Sequence, residues 1–168
     1  MVEYEGIVFK FGNDINTDYI ISSRRKKDTL DTDILKKYIM EDIRPRFYQE
    51  LKGVSILVAG ENFGCGSAME VAAQVVKENN IPVILAKSFA RSYYRNAINN
   101  GIIVVEIDTD NINENDIVNV KMDDKFIVVE NKSNKYKVQL LGFSDEIKDI
   151  LISGGLIGYM RKNQNIGG

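Results

Sequence analysis

The chain has 168 residues, 44% of them hydrophobic and 27% charged, with a formal net charge of −2. That composition suits one globular domain over residues 1–168 with a sizeable core, and the weak negative charge excludes a bulk attraction to nucleic acid. Histidine is absent and cysteine occurs once, as Cys65, which excludes a Ser-His-Asp triad, a His-rich zinc site, a histidine base, an internal disulfide and an iron–sulfur cluster held by this chain alone.

In chain order, Gly6 to Phe11 reads as a first strand, stopped by Gly12-Asn13-Asp14. Asp14-Ile-Asn-Thr-Asp18 follows, with side chains suited to turns, then the apolar run Tyr19-Ile-Ile21. Ser22 to Lys27 gathers four cations in a predicted loop. Such a run is either a solvated surface or, because arginine presents a planar donor fork, a carboxylate-binding loop. Thr32 to Met40 has helical spacing, Pro45 breaks it, and Arg46 to Leu51 reads as a short helical return.

Val54 to Ala59 is an apolar, β-branched run of strand length, followed by a loop with glycines at 60, 64 and 66. Ser67-Ala-Met-Glu70 has the spacing of a capping box and predicts a helix over 68–78 with Ser67 as its N-cap. A strand, a glycine turn and a helix start bring backbone N–H groups around the turn and favour an anionic ligand. No Lys-Ser or Lys-Thr follows the glycines, as a P-loop needs. Pro82 to Ala86 is a second strand; Ser88 is the expected cap of a helix over 89–98, stopped by Gly101; Ile102 to Ile107 is a third strand.

Two βαβ units in succession imply a parallel sheet with right-handed crossovers. Beyond Asp108 the pattern alternates over 116–122, 125–130 and 135–141, as in an antiparallel meander. Ser144 starts a helix to Ile152, Gly154-Gly155 interrupts, and a last helix runs to about Arg161. The fold class is α/β, a parallel βαβ core plus the meander. No apolar run reaches the length of a membrane span and no signal-peptide pattern is present. With the unpaired cysteine, this fits a cytoplasmic protein without a membrane partner.

Three segments, Asp14-Ile-Asn-Thr-Asp18, Asn62-Phe-Gly-Cys-Gly-Ser67 and Lys87-Ser-Phe-Ala-Arg-Ser-Tyr-Tyr-Arg-Asn-Ala-Ile-Asn99, resemble the small subunit of 3-isopropylmalate dehydratase and of homoaconitase, in the aconitase superfamily. The resemblance spans nearly the whole chain. It implies a swivelling β/β/α domain that docks on a large subunit carrying a [4Fe–4S] cluster, with no cofactor bound by this chain. The implied reaction dehydrates and rehydrates a hydroxy dicarboxylic acid. By position, Ser67 matches the catalytic serine, which acts as base in its alkoxide form, and Asp18 the acidic active-site residue. Gly66 and Ala68 flank the serine as substrate-binding positions, and Arg24, Arg25, Lys26 and Lys27 occupy the substrate loop. Cys65 matches a family cysteine and reads as a small buried side chain.

The turn departs from the family pattern. Where the family reads Gly-Ser-Ser-Arg-Glu-His-Ala, this chain has Gly66-Ser-Ala-Met-Glu-Val-Ala72. The lost arginine normally helps bind a substrate carboxylate, a contact whose removal costs on the order of 2–5 kcal/mol unless replaced. The loop Arg24 to Lys27 is richer in cations than usual, so carboxylate binding is expected to move from turn to loop. The favoured reading is an active small subunit for an isopropylmalate-like or other alkyl-malate substrate. A true isopropylmalate or homoaconitate subunit is the second. A non-catalytic paralogue that binds a large subunit or an anionic metabolite as a regulator is the third. Met69 is assigned no role beyond packing, and Arg91 and Arg95, four apart on one helix face, are expected on the helix surface or in structural ion pairs, with a contact to the large subunit or substrate as the alternative.

Overall fold

In the structure, a computed structural model that describes residues 1–166, one seven-stranded sheet runs in the order β4-β3-β2-β1-β5-β6-β7. The strands are β1 (Val2–Lys10), β2 (Ser55–Val58), β3 (Val83–Ala86), β4 (Ile103–Glu106), β5 (Ile117–Met122), β6 (Phe126–Asn131) and β7 (Tyr136–Leu141). Strand β1 joins two halves. Its Ile7–Lys10 segment pairs in parallel with β2, and its Val2–Ile7 segment pairs antiparallel with β5. From β2 through β4 the pairing is parallel, and from β5 through β7 antiparallel. The parallel core and the meander thus stand as the periodicity implies. β1 begins four residues earlier than the expected Gly6, because Val2 to Gly6 supplies the ladder for β5.

All four residues of β2 and of β3 are buried, as expected for parallel strands covered on both faces. Among the described residues eight α-helices accompany them: α1 (Thr17–Ile20), α2 (Ser23–Lys26), α3 (Thr32–Leu35), α4 (Phe47–Glu50), α5 (Val71–Glu78), α6 (Arg91–Asn99), α7 (Asp145–Ile152) and α8 (Leu156–Ile166). Helix α5 buries Ala72, Ala73, Val75 and Val76, small and branched residues that let it lie close to its neighbours. The helix expected over 32–40 divides into α3 and a 3-10 turn at Lys36–Tyr38, and Met40 then takes a positive φ of 55°. No helix among the described residues is long and apolar enough to cross a membrane.

One ion cluster fastens the 41–50 segment to the sheet. Arg44 donates to both carboxylate oxygens of Glu50 (2.8 and 2.9 Å) and to Glu114 (2.7 Å). Its guanidinium also lies within 5.8 Å of the ring centroids of Phe9, Phe11 and Phe47. Two carboxylates hold it charged well beyond the ordinary arginine range, led by the hydrogen bond to Glu50.

Because β1, β2, β3 and β4 are mutually parallel, their carboxyl ends lie along one margin of the sheet. The loops leaving that margin are 11–16, 59–70, 87–90 and 107–116. In open α/β sheets this margin is where ligands bind.

Candidate active site

The glycine loop after β2 is held on both sides by backbone bonds. On one side the Asp14–Thr17 segment runs alongside it. Asp14 N–H donates to the Glu61 carbonyl, Gly64 N–H to the Ile15 carbonyl, and Thr17 N–H to the Cys65 carbonyl, each at 2.8 Å. On the other side Phe63 N–H donates to the Ser88 carbonyl (3.0 Å) and Ala90 N–H to the Phe63 carbonyl (2.9 Å). Phe63 itself is fully buried, edge-on to Phe89 and Tyr93. The three motifs, distant in sequence, are therefore neighbours in space.

Two glycines are needed where they stand. Gly64 (φ +81°) lies against Tyr93, and a Cβ there would sit 2.2 Å from that ring. Gly66 (φ +91°) faces the Asn16 amide, 2.5 Å from where its Cβ would be. Asn16 meanwhile caps α1, accepting from the Asp18 N–H.

Ser67 lies at the exposed end of this loop. The expected capping box does not form. Helix α5 begins at Val71, and its N-cap is Glu70 in a helical conformation without a side-chain cap. The reason is tertiary: the buried Thr17 hydroxyl donates to the Ser67 carbonyl (2.8 Å), which fixes Ser67 in the loop. Among the described residues no protein group accepts from the N–H of Gly66, Ser67 or Ala68. The Ser67 hydroxyl is also without a protein partner among them. An exposed hydroxyl beside several unused N–H donors can hold an oxyanion.

Asp18 follows Thr17, which ties it to the Ser67 loop. Its carboxylate accepts from both the hydroxyl and the N–H of Ser23, the latter at 2.8 Å. These bonds hold its pKa below the ordinary aspartate value, the Ser23 hydroxyl first; Lys26 and Arg24 add attraction, while desolvation opposes. A depressed pKa means that the carboxylate's hold on Ser23 is present above the ordinary aspartate pKa and lost as pH falls through the lowered value. Ser23→Ala removes the leading cause, so a carbon-detected titration of Asp18 is expected to shift its midpoint upward. An unchanged midpoint would contradict this origin.

The segment 22–27, expected as a loop, contains the short helix α2, capped by the Ser22 hydroxyl, which accepts from the Arg24 N–H. It sorts the four cations. Arg24 reaches Asp42 at 2.8 Å. Arg25 makes a bidentate bond to Glu41 (2.7 and 3.0 Å) and stacks on Tyr38 (3.8 Å). Lys26 turns to the Met69 sulfur. Lys27, exposed, follows as the C-cap. The structure thus ties the segment of Asp18 and Lys26 to the Gly66–Ala68 loop through Thr17 and Met69, whereas Arg24 and Arg25 are engaged with acids of this chain.

Other expectations are corrected. Cys65 is half-buried, not buried, because it lies in the exposed glycine loop with its backbone bridged to Asn16. Ser88 does not cap α6, whose N-cap is Ala90; its hydroxyl accepts from the Asn62 N–H instead (2.8 Å). Arg91 and Arg95 lie exposed on the helix surface, as one of their two expected placements has it, and among the described residues they make no ion pair. With Phe89, Tyr94 and Glu106 they line a cavity of about 380 Å³. Sequence reasoning missed Asn16, Thr17 and Ser23 as supports of the site. Only the Asn-Thr pair before an apolar run carried a local signal, that of a helix cap. Among the described residues no group of three or more potential metal-ligating side chains is found.

This arrangement, an exposed serine beside unused N–H donors, with an acid and a cation on the segment tied to its loop, suits proton chemistry on an anionic substrate. Residues 13–110 match the aconitase C-terminal domain family. The chain is 43% identical over 160 residues to the 3-isopropylmalate dehydratase small subunit of Caldanaerobacter subterraneus subsp. tengcongensis, covering 94% of this chain and 98% of that one. It is 40% identical over 162 residues to the methanogen homoaconitase small subunit of Methanocaldococcus jannaschii, covering 96% and 94%. The crystal structure of 3-isopropylmalate dehydratase (leuD) from the same organism superimposes with a TM-score of 0.90 at 36% identity, over 99% of this chain and 98% of that one. The chain belongs to the aconitase C-terminal domain family, among the small subunits of hydro-lyases.

Proposed function

We propose that this chain, docked on a large subunit, dehydrates and rehydrates a hydroxy dicarboxylic acid of the isopropylmalate or alkyl-malate type. The observation that carries the reading is Ser67, exposed on a loop whose neighbouring N–H groups lack protein acceptors. As an alkoxide, Ser67 takes a proton from the carbon beside a substrate carboxylate. The C–H electron pair becomes the new double bond, and the hydroxyl on the adjacent carbon leaves as hydroxide, which an acid of the large subunit protonates to water. The N–H groups of the turn stabilise the alkoxide without reorganisation. Asp18, held ionised by Ser23, orders the α1–α2 corner beside the serine.

One cysteine and no histidine cannot hold an iron–sulfur cluster, so the [4Fe–4S] cluster that the family resemblance implies would be held by the large subunit. When bound there it supplies a Lewis acid for the departing hydroxyl. This chain's own part is the base, its oxyanion donors and a grip on the carboxylates. Such an assembly fits the reducing cytoplasm.

Mixing the chain with its cluster-loaded large subunit, without oxygen, tests the reading. Across a panel of hydroxy diacids and their unsaturated products, turnover is expected only when both subunits are present. A stable complex with an intact cluster and no turnover of any member would overturn the proposal and favour a regulatory subunit.

A further inference from the structure

The cavity beside the edge strand β4 plays no part in the chemistry assigned to Ser67. Its volume of about 380 Å³ lies at the small end of the roughly 300–1,000 Å³ of small-molecule pockets. Five side chains line it, and they carry both signs of charge. Arg91 and Arg95 stand one turn apart on α6, and Glu106 is the last residue of β4. Like charges at that helical spacing repel. Yet among the described residues neither arginine makes an ion pair or a side-chain hydrogen bond, although an acid lines the same cavity. Glu106 in turn accepts from the Phe89 N–H through one oxygen (3.3 Å), and its other oxygen has no protein donor among the described residues.

Phe89 and Tyr94 supply the apolar surface. Their rings meet edge-on at 5.9 Å, with Phe89 9% exposed and Tyr94 half-buried. The Tyr94 hydroxyl is pushed up, first by burial and then by the Glu106 charge, so ring and carboxylate share one environment.

We propose that this cavity binds a free α-amino acid with an apolar side chain: the arginines hold its carboxylate, Glu106 its ammonium, and the Phe89–Tyr94 pair its side chain. Guanidinium forks match a carboxylate, and the free oxygen of Glu106 accepts from an ammonium. A simple anion would meet the charge of Glu106, and a simple amine that of the arginines; a zwitterion satisfies all three groups. The site is separate from Ser67 but adjoins its loop, because Phe89 is also edge-on to Phe63 of the glycine loop at 5.9 Å.

Calorimetric titration of the full-length chain with L-valine, L-leucine and L-phenylalanine tests the proposal, each beside its deaminated acid and its decarboxylated amine. For L-leucine these are 4-methylpentanoate and 3-methylbutylamine. At least one amino acid is expected to bind, roughly tenfold or more tighter than either of its singly charged analogues. The double variant Arg91→Gln/Arg95→Gln is expected to weaken the amino acid about ten- to hundredfold, the range of one charged hydrogen bond, without weakening the amine. Glu106→Gln keeps an acceptor for the Phe89 N–H and removes the charge. It is expected to weaken the amino acid by a similar factor while the deaminated acid binds more tightly than to the parent.

The three substituted side chains are exposed, so melting temperatures should match the parent and set misfolding aside. Binding of no amino acid overturns the proposal, as does an analogue that binds as tightly as its amino acid. If no amino acid binds and Arg91→Gln/Arg95→Gln weakens association with the large subunit, the face is a subunit contact and the proposal falls. No readout here uses turnover, so the test stands whether or not the hydro-lyase reading holds.

Discussion

Ser67→Ala is expected to reduce kcat of the assembled enzyme by at least about 10³-fold while the complex still forms and binds its diacid. The substitution removes the atom that accepts the substrate proton, and acid–base groups typically contribute about 10²–10⁴-fold. No bond that holds the loop is lost, because Ser67 engages the fold through its carbonyl, which accepts from Thr17, and not through its hydroxyl. The melting temperature should therefore change little. Near-normal kcat would mean that another group takes the proton. A matching fall in stability would mean that the hydroxyl has a structural role that its geometry does not indicate. Circular dichroism melts beside steady-state kinetics separate these outcomes.

Gly64→Ala is expected to be the most destabilising single change near the site. The residue takes φ +81°, and a Cβ would stand 2.2 Å from Cγ and 2.3 Å from Cβ of Tyr93. Tyr93 has no room to retreat. It is 1% exposed, packs edge-on against Phe63 and donates its hydroxyl to the Ala72 carbonyl at 3.0 Å. The left-handed backbone costs about 1–2 kcal/mol for a residue with a side chain, and overpacking adds about 1–3 kcal/mol. A total of about 3 kcal/mol lowers the melting temperature of a chain of this size by roughly 10 °C. Gly53→Ala is the control. Its φ is +68° with nothing within 4 Å of the added Cβ, so only the backbone cost of about 1 kcal/mol applies. Equal losses for the two variants would show that the contact with Tyr93 does not matter.

The parallel strands were legible because Ser55–Val58, Val83–Ala86 and Ile103–Glu106 are short apolar runs between helical segments and turn residues. The meander was legible from its alternation, which survives as the alternating burial of β6 and β7. Local signals failed where a distant contact outweighed them. Ser67-Ala-Met-Glu70 has the spacing of a helix start, yet the Thr17 hydroxyl, fifty residues away in sequence, holds the Ser67 carbonyl in the loop. Ser88 carries the chemistry of a cap, but its hydroxyl is used by the Asn62 N–H across the glycine loop.

The site divides in the same way. Ser67 and Asp18 were expected in one site from three motifs read together; the structure joins their segments through Thr17. The different fates of four adjacent cations could not be read locally. Glu41 and Asp42 claim Arg25 and Arg24 after an intervening turn, and Met69 meets Lys26 across 43 positions. Composition carries no trace of such pairings.

The central claim, that Ser67 takes a proton from the carbon beside a substrate carboxylate, is tested most directly by isotope exchange. The assembled complex would be incubated with its diacid in heavy water, and deuterium at that carbon followed by proton NMR. The account predicts incorporation by the parent complex and none above background by Ser67→Ala, with the diacid still bound. Undiminished incorporation by Ser67→Ala would contradict it and place the base elsewhere in the assembly.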